Sequence, residues 1–68
     1  MNNLDNYLSE QRRFARLARK ESFKANNLSE PLTALLCRER AANYSMKAMA
    51  AHAMVQLELD DLARSALA

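Results

Sequence analysis

The chain has 68 residues, no glycine, one proline (Pro31), one cysteine (Cys37) and a formal net charge of +2. Thirteen alanines and eleven leucines stand against two β-branched residues, Thr33 and Val55, so the composition excludes sheets and predicts an all-α fold. Without glycine there is no loop that lets a backbone wrap phosphate, which excludes the usual nucleotide-dependent enzymes.

Size sets a second bound. A chain this short gains only about 3–5 kcal/mol from its own core and needs a disulfide, a metal or oligomerisation. Cys37 alone closes no bridge, and Cys37 with the single His52 does not supply a zinc site. No cofactor is expected, and oligomerisation is the device left. The first residues show neither a basic cluster nor an apolar run of the kind that targets a chain for secretion. The apolar tract from Ala48 to Val55 is too short to span a bilayer. A cytoplasmic protein with no membrane span is the expectation, with one domain over residues 1–68.

The first predicted helix covers about residues 3–26. At 100° per residue Leu4, Tyr7, Leu8, Phe14, Ala15, Ala18 and Ala25 form one stripe, flanked by Leu17 and Leu28 and interrupted by Gln11. Opposite lie Arg12, Arg13, Arg16, Arg19, Lys20 and Lys24, with Glu21 the one anion among them. Residues 12–24 therefore carry +5, and the modest total hides a separation of charge. Phe23 falls inside the basic arc. It either covers the turn, packing on Leu28 or the start of the second helix, or lies in a dimer contact, or anchors a partner amid the cations.

Residues 27–30 form the predicted turn. Asn26 or Asn27 can take the left-handed conformation that ends a helix, Ser29 can cap the next one, and Pro31 suits its first turn. The second helix is predicted over about residues 30–66, with Asn43-Tyr44-Ser45 its weakest interior point. It carries two apolar stripes side by side. Ala34, Cys37, Ala41, Ala48, His52, Val55, Leu59, Leu62 and Ala66 make the first; Leu35, Ala42, Met46, Met49, Ala53 and Leu57 make the second. One helix of the same chain covers one flank, so the second stripe is the expected dimer interface, and two hairpins would build an antiparallel four-helix bundle or a similar helical dimer.

Candidate chemistry is sparse. His52 reads as a buried or interface histidine, Cys37 as a small core residue, and Met46, Met49 and Met54 as core or dimer seam. Glu58, Asp60 and Asp61 read as a solvated acidic end. The basic face is the informative feature, because its like charges repel along the helix and forgo the pairing that stabilises an isolated one.

A helix, the Asn26-Asn-Leu-Ser-Glu-Pro31 turn and an apolar second helix resemble the plasmid copy-number-control hairpins that dimerise into four-helix bundles. In that family an aromatic among basic residues meets RNA, and Phe23 amid Arg16, Arg19 and Lys20 is similar in kind. The unequal helix lengths depart from it. In size and composition the chain also resembles the small helical proteins by which phages inhibit host regulators. The expected function is that of a non-enzymatic regulator or inhibitor of the phage anti-activator type. Its homodimer would set Arg12, Arg13, Arg16, Arg19, Lys20, Phe23 and Lys24 on an acidic surface of a host regulatory protein. A helical bundle that binds RNA or DNA is the alternative.

Overall fold

The computed structural model describes residues 3–67; Met1, Asn2 and Ala68 lie outside the described residues. Two helices, α1 (Leu4–Asn27) and α2 (Pro31–Leu67), fold back on each other as a hairpin. At 1.5 Å per residue they are about 36 and 55 Å long, and the molecule is a rod of 57 × 14 × 13 Å. The helix α2 runs without interruption through Asn43-Tyr44-Ser45. Its last turns extend beyond the start of α1, so Leu62 and Leu67 have no helix of their own chain beside them and are exposed.

The turn is made differently from the expectation. Among the described residues no backbone φ is positive, so neither Asn26 nor Asn27 takes the left-handed conformation. Instead the Asn27 side-chain amide donates to the Phe23 carbonyl at 2.8 Å, occupying an acceptor at the helix end, and Leu28 leaves in an extended conformation (φ −96°, ψ 131°). Ser29 does not cap α2. Glu30 does: its carboxylate accepts from Leu32 N at 3.1 Å and from Thr33 N and Thr33 Oγ1, both at 2.6 Å. Its carbonyl takes the first helical bond, from Ala34 N at 3.1 Å. An anionic cap satisfies orphan N–H groups and also faces the positive end of the helix.

These three donors hold the Glu30 carboxyl below its ordinary value, the Thr33 hydroxyl contributing most, then the Thr33 and Leu32 amides. A carboxyl lowered in the folded state stabilises it above the unfolded-state value and loses that contribution as pH falls through the lowered one. Glu30→Gln is therefore expected to melt at a lower temperature than wild type at neutral pH, and the gap is expected to close as pH falls below the glutamate range. A gap that stays constant in thermal melts across that range would show that the charge is not what caps α2.

The two helices meet along a seam of period seven. Leu4, Tyr7, Gln11, Phe14, Ala18, Glu21 and Ala25 are the buried or half-buried positions of α1 that recur at spacings of three and four. Ala34, Cys37, Ala41, Tyr44, Ala48, Ala51, Val55 and Glu58 are those of α2. A 3.5-residue repeat keeps facing side chains in register over the whole length, as in a two-stranded coiled coil. Ala18, Ala25, Ala34, Cys37, Ala41, Ala51 and Val55 are its buried centre, and small side chains let the backbones approach closely.

The seam moves several expected core positions. His52, Leu59, Leu62 and Ala66 are exposed, while Tyr44, Ala51 and Glu58 face α1. Phe14 and Tyr44 stack across the seam with centroids 6.3 Å apart, and the Arg13 guanidinium (4.8 Å) and Lys47 ammonium (5.5 Å) sit against the Phe14 ring. Cys37 is buried, as a small core residue should be. The methionines are not: Met46, Met49 and Met54 all lie at the surface of the hairpin.

Candidate functional site

Because one seam uses one side of each helix, the opposite sides form two outer faces of contrasting chemistry. The outer face of α1 carries Arg12, Arg13, Arg16, Arg19, Lys20 and Phe23, with Lys24 at its edge, all exposed. The outer face of α2 carries Leu35, Ala42, Met46, Met49, Ala53 and Leu57, also all exposed.

On the basic face the cations divide into two sets. Lys24 lies 3.7 Å from Glu21 Oε1, and Arg40 reaches over from α2 to within 3.9 Å of Glu21 Oε2. Arg13 lies on the Phe14 ring. Glu21 thus belongs to the seam, with only 12% of its side chain accessible. Its Oε2 accepts no hydrogen bond, because Arg40 stands at ion-pair distance only. The anion that sequence position places among the cations is turned inward and leaves the outer face uncompensated.

Arg12, Arg16, Arg19 and Lys20 form no ion pair among the described residues. Three of them, Arg12, Arg16 and Arg19, surround a shallow depression of about 380 Å³ whose remaining wall and floor are Leu8, Gln11 and Ala15. Their spacing of four and three places the three guanidinium groups along one edge of the helix. Small Ala15 lets the surface dip between them. Guanidinium forks bind carboxylates bidentately, and a depression with this lining can take an acidic side chain with an apolar stem. Phe23 stands further along the same face, 70% exposed. It does not cover the turn, and Leu28 is itself exposed.

A second, more apolar groove of about 310 Å³ runs beside the seam, lined by Gln11, Ala15, Ala48, Met49, His52 and Ala53. His52 is at its rim instead of in the core, and its Nδ1 accepts from the Gln11 amide across the helices at 3.2 Å. That link explains why a polar Gln11 is tolerated on the seam. Leu8, which lines the first depression, and Ala15, which lines both, were legible only as core positions. Their spacing of seven beside Arg12, Arg16 and Arg19 is the signal that marks a rim.

Glu58, Asp60 and Asp61 do not converge with other ligand types; among the described residues no group of three or more His, Cys, Asp or Glu could hold a metal ion. Among the described residues no helix is long and apolar enough to cross a membrane. The fold and its surfaces define an all-α helical hairpin with one basic outer face and one mostly apolar outer face interrupted by Glu39 and Asn43. No protein-family model, curated protein or solved structure matches the chain, so the reading of its surfaces rests on their own geometry.

Proposed function

We propose that this protein is a non-enzymatic binding module, homodimeric and cytoplasmic. It would act as a regulator or inhibitor by laying the outer face of α1 on an acidic surface of another protein and so occluding it. The observation that carries this reading is the depression bordered by Arg12, Arg16 and Arg19, which form no ion pair among the described residues. Its apolar floor distinguishes it from a surface that only tracks phosphates. An acidic side chain entering it would exchange water for two charge-assisted hydrogen bonds and contact with Leu8 and Ala15. Phe23 on the same face supplies apolar contact area of the kind that lengthens residence, while the cations speed encounter. The resemblance in size and composition to the small phage proteins that inhibit host regulators supports a host regulatory protein as the target, whereas the resemblance to the plasmid hairpins favours the RNA alternative.

Pull-down from lysate, with and without nuclease treatment, tests the reading. Retention of one acidic protein after nuclease supports it. Loss of every partner after nuclease, with affinity falling as about the fifth power of salt concentration if all six cations met duplex phosphates, would replace it with nucleic-acid binding.

A further inference from the structure

The outer face of α2 has no cover in the hairpin. A compact 7.7 kDa monomer exposes about 4,300 Å², whereas this chain exposes 5396 Å². Its radius of gyration is 16.1 Å, against about 11 Å for a compact chain of this length. The excess of about 1,100 Å² per chain exceeds the roughly 800 Å² that each partner buries in a standard stable interface. It also has a location. Twelve large apolar residues are exposed, and ten of them, from Leu32 to Leu67, belong to α2.

Charge along the rod says how that face is covered. The half nearest the turn, residues 14–49, holds seven of the ten lysines and arginines and three of the eight acids. The other half holds the remaining five acids, Asp5, Glu10, Glu58, Asp60 and Asp61, and three arginines. Two rods side by side in parallel would set like ends together; antiparallel, each acidic end lies beside a basic one.

We propose that a second copy of this chain packs α2 on α2 in antiparallel sense, with the two-fold axis near Met46, the midpoint of the exposed stretch between Leu35 and Leu57. The two basic α1 faces then lie on opposite outer sides of the assembly, so each dimer holds two partner molecules instead of one. This arrangement deepens the reading above, on which it rests for what binds to α1, but the assembly itself is measured without any partner.

Single cysteines in a Cys37→Ala background test it, with circular dichroism to verify folding and light scattering on the wild type at high micromolar concentration. In an antiparallel pair a central position approaches its own copy and an end position does not. Under mild oxidation a cysteine at the best of Ala42, Met46 or Met49 is expected to form disulfide-linked dimers at least about tenfold faster than Leu35→Cys or Leu57→Cys, because a bridge needs Cα atoms within about 7 Å. End positions that self-link as fast as central ones would overturn the antiparallel sense. A wild-type monomer by light scattering would overturn the assembly altogether and leave the α2 face to a different chain, without touching the reading of α1.

Discussion

Ala51→Glu is expected to abolish the folded hairpin, seen as loss of the helical circular dichroism signal at room temperature. Ala51 is 5% exposed and sits where the two backbones approach over alanine. A glutamate there brings atoms that the seam has no room for, at about 1–3 kcal/mol for overpacking. Its carboxylate would add at least about 1–3 kcal/mol if left without partners in a desolvated site. The polar groups already on the seam do not help, since Gln11 is engaged with His52 and Glu21 is an anion. Against this stands the stability of only about 3–5 kcal/mol that a core of this size supplies. Ser9→Glu, which adds the same charge at an exposed position away from the seam and from the outer face of α2, is expected to keep the signal. Equal tolerance of both changes would mean that the seam is not where the hairpin derives its stability.

That seam also shows how far a sequence of this kind can be read. The two helices and the turn were legible from composition and from Asn26-Asn-Leu-Ser-Glu-Pro31, because alanine and leucine leave the helix little competition and punctuation occurs once. Register was harder. A pattern laid out at 100° per residue drifts against a seam of period 3.5 by about 20° every seven residues. Starting together at Ala34, Cys37 and Ala41, the two part at Tyr44 and still share Ala48 and Val55, but in the last turns the pattern favours His52 and Leu59 where the structure buries Ala51 and half-buries Glu58. Tyr44 read as the weakest point of the helix because its neighbours are Asn43 and Ser45. Its partner Phe14, thirty positions away, makes it part of the seam instead.

The turn illustrates a different limit. Asparagine and serine are residues of general aptitude for helix ends, and aptitude does not choose between neighbours. Glu30 wins the cap because it offers two oxygens to three donors and Thr33 supplies one of them from its side chain. The basic face, by contrast, needed no register to be seen: Arg12, Arg16 and Arg19 share an edge under any helical period near 3.6. What periodicity could not show is that Glu21 turns inward, which removes the one anion that would have muted that edge.

For Arg16 the two roles of a charged surface predict opposite results, and this makes Arg16→Glu the most informative change on the binding face. Four cations stand three or four residues from it, Arg12, Arg13, Arg19 and Lys20. Reversing the charge turns repulsive neighbours into attractive ones, each worth about 0.2–0.5 kcal/mol on an exposed helix. The variant is expected to melt at or above the wild-type temperature. Binding should move the other way. The depression between Arg12 and Arg19 would acquire a carboxylate facing the partner's own, and a loss of about 2–3 kcal/mol, or roughly 30- to 150-fold in Kd, is expected for a charge pair excluded from water. Calorimetry of melting and of binding to the retained partner separates the outcomes. A solvated face that meets nothing would gain the same stability and lose no affinity, whereas a gain in stability together with weaker binding identifies the arginines as held in repulsion for the sake of the partner.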